Sequence, residues 1–149
     1  MPSERAEDLW NGKSYLSGLR FVDQKRIGAM AWSQAGPSTL ASFQRRKNPF
    51  MVVVAFYPYR FKPLVERNMR LLVLVGELDD WCPPALWQER MPLRESKREI
   101  ILKVYPGAYH CFDGKGVNRN YGGHRLQYGP AAAADSILRV REFLARHLP

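Results

Sequence analysis

The sequence has few of the residues that mark disulfide-rich or metal-binding proteins. Its 149 residues include two cysteines and three histidines, and two cysteines are too few for a disulfide framework. Cys82 follows Asp79 and Asp80, and Cys111 follows His110, so these side chains raise the question of a metal site. Their spacing does not match that of the common zinc motifs. We therefore expect neither a bound metal nor any other cofactor.

Long apolar runs are also absent. No stretch approaches the length that crosses a bilayer, and the N-terminal sequence MPSERAEDLW lacks the apolar segment of a secretory signal. Hydrophobic residues nevertheless make up 46% of the chain and aromatic residues 12%, which is the composition of a globular protein. These features predict a single cytoplasmic domain over residues 1–149, with no membrane partner.

Acidic residues are the minority charge. The chain has 23 Lys and Arg against 14 Asp and Glu, a formal net charge of +9, and such an excess raises the question of a polyanion partner. The basic residues are dispersed, however, and the densest groups, QRRK (44–47) and RESKRE (94–99), have no interleaved aromatic residues. We expect a solvated basic face and no nucleic-acid partner.

Four short apolar runs are present, and they predict a parallel sheet. Each run is nearly continuous rather than alternating, which is typical of strands that are buried on both faces. The runs are RIGAMA (26–31), MVVVAF (51–56), LLVLV (71–75) and EIILKVY (99–105). Crossover helices fit between them at 37–47 and 84–98. The alternation predicts an α/β fold with a mainly parallel sheet of about four strands and flanking helices.

Two further helices and one long loop complete the predicted organisation. Residues 5–17 predict a weak helix that is broken at Gly12. The segment 114–130 is rich in glycine and is predicted as a long loop, a feature that is often functional. Residues 131–148 predict a helix with one apolar stripe on the sheet, formed by Ile137, Val140, Leu144 and Leu148.

One serine lies where a nucleophile is expected. In AMAWSQAG (29–36), Ser33 follows the first predicted strand and precedes a helix, which is the setting of a nucleophile elbow. The usual flanking glycines are replaced by Ala31 and Ala35, which are still small enough for strand and helix to approach closely. The position also suits a serine that only caps the helix, so this stretch alone leaves both roles open.

Two more candidate residues follow later strands. Asp79 comes just after the third strand and Gly76, and His110 lies in the loop after the fourth strand. Ligands and catalytic groups in open α/β sheets gather at the carboxyl ends of the strands. The chain order Ser33, Asp79, His110 is the order of the α/β-hydrolase triad. The joint pattern favours a triad over three unrelated structural residues.

Five ungapped strings carry a resemblance to a known family: RIGAMAWSQAG (26–36), VVVAFYP (52–58), LLVLVGELDDWCPP (71–84), YPGAYHCFD (105–113) and YGPAAAADSILRVREFL (128–144). With them the chain resembles the dienelactone hydrolase family of α/β-hydrolases, and more closely the C-terminal portion of that fold. The resemblance implies Ser33 as the nucleophile, Asp79 as the acid and His110 as the base, with Asp80 the neighbour that competes for the role of acid and Asp113 an ordinary loop residue.

The resemblance implies that the chain hydrolyses a small ester or lactone. That substrate is the small-molecule partner that we expect. The backbone N–H of Gln34, at the start of the helix after Ser33, would be one oxyanion donor. Trp32 and Trp81 would form walls of an apolar substrate pocket, or would pack only against the serine and acid turns. Pro37 is expected to delay or bend the helix after Ser33.

In α/β-hydrolases several strands precede the nucleophile, and one of their loops supplies the second oxyanion donor. The architecture that we expect for this chain lacks those strands and that loop. This leaves open an alternative function, that of a weak or inert relative that acts as a binding or interaction protein. It also leaves the edge of the strand at 26–31 unpaired, which predicts a homo-oligomer. Alternatively, the N-terminal helix covers that flank with Leu9, Trp10 and Leu16.

Overall fold

The computed structural model describes residues 2–45, 50–59, 70–88 and 99–148. Within them the chain forms four helices and six strands, besides a short 3-10 turn at Gln24–Arg26. In chain order these are α1 (Pro2–Ser17), β1 (Ala29–Trp32), α2 (Ala35–Arg45), β2 (Val53–Phe56), β3 (Arg70–Gly76), α3 (Pro84–Gln88), β4 (Glu99–Tyr105), β5 (Asn118–Tyr121), β6 (His124–Gln127) and α4 (Pro130–His147).

Four strands form one parallel sheet in the order β1, β2, β3, β4. This confirms the predicted α/β fold class. Because the strands run in one direction, their carboxyl ends lie along the same edge of the sheet. The first strand begins at Ala29 rather than at residue 26, because Gln24–Arg26 forms a 3-10 turn. The Asp23 side chain caps that turn by accepting a hydrogen bond from the Lys25 N–H.

The sheet separates two apolar layers, which explains why the strands have near-continuous apolar sequences. One layer lies against α1, α2 and α3, and includes Ala29, Leu40, Val53, Val73 and Trp87. The other layer lies against α4, and includes Val54, Leu72, Leu74, Val140 and Phe143. Each fully buried Val or Leu side chain contributes roughly 1.5–3 kcal/mol. Burial on both faces therefore holds the central strands β2 and β3 in register.

Two predictions about the first helices are wrong. Helix α1 continues through Gly12 without a break, where a glycine lowers helix stability by only about 1 kcal/mol. Helix α2 begins at Ala35 and is not delayed by Pro37, because Pro37 lies in the first helical turn, whose N–H groups have no intrahelical acceptor. The predicted helix ends at 46–47 and 89–98 lie outside the described residues.

Helix α4 packs on the sheet through a stripe that differs from the predicted one. Ile137 is 54% exposed, so its assignment to the sheet-facing stripe is wrong. The helix is rotated so that smaller side chains at its N-terminal end contact the sheet, and Leu144 and Leu148 only border that layer. The buried residues of α4 are Ala132, Ala133, Ser136, Val140, Phe143 and His147.

The glycine-rich segment at 114–130 is not a loop throughout. Its centre forms the antiparallel hairpin β5–β6, with Asn118 opposite Gln127 and Tyr121 opposite His124. The turn consists of Gly122 and Gly123, which have φ of 58° and 85°. Two successive residues with positive φ make the tight hairpin turn that matches strand twist, and glycine adopts it without strain.

Strand β1 is at one edge of the sheet, and no described strand pairs with its free side. Helix α1 packs along α2, and its Leu9 contacts the apolar layer that contains Ile27 and Ala29. On the opposite face, Met30 and Trp32 line a groove of about 350 Å³ beside α4. None of the described helices has the length and apolar character needed to cross a bilayer.

Candidate active site

The three residues predicted from strand ends are adjacent at the carboxyl edge of the sheet. Ser33 directly follows β1, Asp79 lies three residues after the end of β3, and His110 lies five residues after the end of β4. His110 Nε2 is 3.0 Å from Ser33 Oγ, and His110 Nδ1 is 2.8 Å from Asp79 Oδ2. A serine, a histidine and a carboxylate linked in this order can transfer a proton from the hydroxyl to the imidazole.

Asp79 is buried, and its carboxylate is hydrogen-bonded on both oxygens. Besides the contact with His110, Oδ1 accepts hydrogen bonds from the backbone N–H of Trp81 at 3.0 Å and of Cys82 at 2.8 Å. These donors form a tight turn that holds the carboxylate, and they compensate for the water that burial removes. The neighbouring Asp80 is exposed and does not contact His110 within the described residues.

The turn at Ser33 is held by backbone hydrogen bonds from β2. Ser33 has φ of 46°, a left-handed conformation that costs free energy in a residue with a side chain. Its N–H donates to Phe56 O at 3.0 Å, and its carbonyl accepts from the Tyr59 N–H at 3.1 Å. A Cβ on Gly36 would overlap Pro58. Glycine is therefore required there, one residue after the position that the usual elbow motif specifies, which Ala35 occupies.

A second close approach joins the turn after β3 that carries Asp79, here called the acid turn, to the loop after β4 that carries His110. The N–H of Leu78 donates to Ala108 O, and that of Glu77 donates to Tyr105 O, both at 2.9 Å. A Cβ on Gly76 would overlap the backbone of Ala108. Glycine at this position lets the two loops touch, which sets the distance between Asp79 and His110.

Gln34 lies between Ser33 and the first residue of α2. Its side-chain Oε1 accepts a hydrogen bond from Arg5 at 3.3 Å, whereas its backbone N–H has no acceptor within the described parts of the chain. A helix N-terminus carries partial positive charge. The Gln34 N–H can therefore donate to a developing negative charge near Ser33.

The two tryptophans that were predicted as pocket walls pack against different aromatic rings. Trp32 stacks on Phe56, with ring centroids 5.3 Å apart and planes inclined by 10°, and remains 43% exposed. Trp81 is edge-on to His110, with centroids 5.1 Å apart. Both rings pack on protein groups, as the packing alternative predicts, and their role as walls of a substrate pocket stays a prediction.

Tyr57 is a site residue that the strand-end analysis missed. It follows β2 with φ of 36°, its ring lies 4.4 Å from that of His110, and its hydroxyl donates to Asp113 Oδ1 at 2.6 Å. Burial, and then the hydrogen bond to Asp113, raise its pKa far above the ordinary phenol value, so it stays protonated. The sequence signal that could have identified Tyr57 is an aromatic residue followed by Pro58 at the end of a buried strand.

The two cysteines are thiols at neutral pH. Burial raises the pKa of Cys82 to about 12 and also raises that of Cys111. The Cys82 thiol contacts the carbonyl of Pro58 and accepts a hydrogen bond from the indole of Trp87. A protonated, packed thiol is a poor nucleophile and a poor metal ligand. Among the described residues, His, Cys, Asp and Glu form no group of three or more suited to a metal ion.

Solved structures share this fold at low sequence identity. A dienelactone hydrolase-like promiscuous phosphotriesterase, P91, from metagenomic libraries is similar with a TM-score of 0.79 and 18% identity, over 97% of this chain and 62% of that one. A Klebsiella pneumoniae structure that also carries the dienelactone hydrolase name has a TM-score of 0.73 and 20% identity, over 94% and 60%. Porphyromonas gingivalis dipeptidyl peptidase 4 has a TM-score of 0.68 and 19% identity, over 99% and 23%.

The chain thus spans about three fifths of the first two relatives' length. A comparison with curated proteins found no match. The model of the dienelactone hydrolase family matches residues 6–148, nearly the whole chain. With the parallel sheet and flanking helices that the structure shares with relatives of that name, the match establishes that this chain belongs to the dienelactone hydrolase family.

Proposed function

We propose that the chain is a serine hydrolase that acts on small esters or lactones. The observation that carries the proposal is the continuous hydrogen-bonded relay from Ser33 through His110 to Asp79, with N···O distances of 3.0 and 2.8 Å. Ser33 is the nucleophile, His110 is the general base and then the general acid, and Asp79 holds the imidazole tautomer. Membership in a hydrolase family supports the reaction class.

The proposed reaction has two half-reactions. Ser33 Oγ attacks the carbonyl carbon while His110 Nε2 takes its proton, and collapse of the tetrahedral intermediate breaks the bond to the alcohol oxygen, which receives that proton. A water molecule then attacks the acyl-enzyme with His110 again as base, and Ser33 regains its proton. The Gln34 N–H and the N-terminus of α2 stabilise the oxyanion in both steps.

The surroundings of Ser33 favour a compact substrate with an apolar part. Trp32 precedes Ser33 in the chain and Trp81 packs on His110, so both would offer aromatic surface to such a substrate, and the His110 and Asp79 side chains are buried. Such a site suits a short acyl group or a lactone ring. Because the relatives include proteins named phosphotriesterase and peptidase, the substrate panel must contain a phosphotriester and a dipeptide amide beside the aryl ester and lactone.

Covalent labelling tests the proposal most directly. A serine-directed fluorophosphonate is expected to label the wild-type chain at Ser33, and short-chain aryl esters are expected to be hydrolysed. Ser33→Ala is the negative control, and Ser38→Ala is the matched control, because Ser38 lies on α2 outside the relay. Equal ester hydrolysis by wild type and Ser33→Ala would refute the assignment of Ser33.

A second candidate function is a weak or inert relative that binds a ligand or a partner. The observation in its favour is that Gln34 supplies the single oxyanion donor identified among the described residues, and loss of one such donor typically costs about 10²- to 10³-fold in turnover. Rapid labelling at Ser33 that His110→Ala abolishes would exclude the inert alternative. Absence of labelling in a folded wild-type chain would favour it.

The free edge of β1 supports a further proposal, that two copies associate there. Antiparallel pairing of one edge with its own copy produces a two-fold interface, and the exposed Met30 and Trp32 beside it would become covered. Light scattering over a concentration series is expected to give twice the mass of the chain. A stable monomer at every concentration would contradict this proposal.

A further inference from the structure

Asp113 joins the strand that carries the nucleophile to the loop that carries the base. Its Oδ2 accepts a hydrogen bond from the indole Nε1–H of Trp32 at 2.8 Å, and its Oδ1 accepts one from the Tyr57 hydroxyl at 2.6 Å. Trp32 immediately precedes Ser33, and the Tyr57 ring packs on His110. One carboxylate therefore connects both sides of the proposed proton-transfer pair, and the relay itself does not use it.

The loop from His110 to Asp113 is fixed on its other side by backbone contacts. The Gln127 N–H donates to His110 O at 3.0 Å, and the Gly129 N–H donates to Phe112 O at 2.8 Å. Between His110 and Asp113, Cys111 has φ of 60°, a conformation that a residue with a side chain keeps only when its surroundings enforce it. Asp113 provides a side-chain anchor on the side that faces Ser33.

The Tyr57 ring is oriented by the same carboxylate. It lies under the His110 ring and edge-on to Phe112, with centroids 5.6 Å apart. A buried phenol needs a hydrogen-bond partner, and the Asp113 carboxylate is a strong one because it is charged. This hydrogen bond helps to fix the phenol ring that packs on His110.

From these contacts we infer that Asp113 is a positioning residue that holds His110 and the Ser33 turn at hydrogen-bond distance. This inference rests on the proposed hydrolase function. Asp113 does not reach the reacting atoms, and it acts through Trp32 and Tyr57. Since small displacements of reacting groups change rates strongly, its removal should slow chemistry more than it weakens substrate binding.

Four substitutions isolate this role. Asp113→Ala removes both acceptors, and Asp113→Asn keeps one acceptor oxygen. Trp32→Phe and Tyr57→Phe each remove one donor while keeping an aromatic ring. Asp135→Asn is the matched control, because Asp135 also bears a hydrogen-bonded carboxylate, paired with Arg139 on α4 away from the relay.

The measurements are the fluorophosphonate labelling rate at Ser33, and kcat and KM for one short aryl ester. Asp113→Ala is expected to lower the labelling rate and kcat by roughly tenfold or more, with KM changed by less than about threefold. Asp113→Asn and Tyr57→Phe should lower the labelling rate and kcat by a smaller factor. Adding Tyr57→Phe to Asp113→Ala should lower them little further. Asp135→Asn should match wild type.

A kcat within about twofold of wild type in a folded Asp113→Ala chain would overturn the inference, as would a loss confined to KM. If Asp113→Ala does not fold, Tyr57→Phe and Trp32→Phe carry the test, and unchanged kcat in both would overturn it. Failure of the proposed function is a separate result, because it appears as an unlabelled Ser33 in the wild-type chain.

Discussion

Two neighbouring aspartates each face a histidine, and Trp81 lies between the two pairs. Asp79 and His110 are 0% and 1% exposed at their side chains and are 2.8 Å apart, whereas Asp80 and His124 are 57% and 29% exposed and are 3.0 Å apart. Trp81 is edge-on to His110, and it stacks on His124 at 4.6 Å with planes 25° apart. Adjacent aspartates of one turn therefore form a buried and an exposed Asp–His pair with histidines from two different segments.

The difference lies in what else each pair contacts. The Asp79 carboxylate is fixed by two backbone N–H groups, and His110 continues to Ser33. The Nδ1 of His124 lies close to Asp80 but lacks hydrogen-bond geometry. An exposed pair is screened by water and contributes little, whereas a buried and oriented pair can fix a tautomer. The inner pair is thus suited to proton transfer, and the outer pair links the β5–β6 hairpin to the acid turn.

Substitution of the two histidines should give the largest contrast. His110→Ala removes the base, and we expect ester hydrolysis to fall by about 10⁴-fold or more, with loss of Ser33 labelling. His124→Ala removes only the ring that stacks on Trp81, and activity should stay within about fivefold of wild type. Initial rates with one aryl ester measure both. Comparable losses in the two variants would show that the distinction between the pairs is wrong.

The two aspartates should differ in the same direction. Asp79→Asn keeps the size of the side chain but cannot hold His110 in the required tautomer, so kcat should fall by about 10³- to 10⁴-fold. Asp80→Asn should change kcat by less than about twofold, because that carboxylate is exposed. A larger loss from Asp80→Asn than from Asp79→Asn would transfer the role of acid to Asp80.

Ser33, His110 and the two adjacent aspartates show what the sequence could and could not predict. Parallel strands bring their carboxyl ends to one edge, so the order Ser33, Asp79, His110 along the chain was enough to predict that they meet. The choice between Asp79 and Asp80 depends on the turn in which the N–H groups of Trp81 and Cys82 point at one carboxylate. The position after the third strand pointed to Asp79 and the family resemblance agreed, but strand periodicity gives no reason to prefer Asp79 over the adjacent Asp80.

Asp113 and the hairpin were missed for different physical reasons. Asp113 contacts Trp32 and Tyr57, which are 81 and 56 residues away in the chain, and the left-handed turn at Cys111 that directs it has no signature in a residue other than glycine. The hairpin strands are polar, so apolar patterning gives no signal there. The Gly122–Gly123 pair is a recognised signal for a tight hairpin turn, but the flanking strands add no apolar alternation to support it.

The pH dependence should identify which histidine controls activity. The base must be neutral to accept the Ser33 proton, so kcat/KM is expected to fall as the pH is lowered. His124→Ala should leave the midpoint of this fall unchanged, because its ring does not contact Ser33. Rates measured from about pH 5 to 8 provide the test. A flat profile in wild type would exclude His110 as the base, and a shifted midpoint in His124→Ala would connect the outer pair to the chemistry.

The smallest expected effect concerns stability. In a double-mutant cycle of Asp80→Asn and His124→Gln, the coupling free energy should be about 0–1 kcal/mol, as for other exposed ion pairs. High salt should reduce the coupling, because both side chains are partly exposed. Denaturant unfolding of the four chains at low and at high salt measures the coupling. A value well above this range, unchanged by salt, would mean that the outer pair is held as firmly as the inner one despite its exposure.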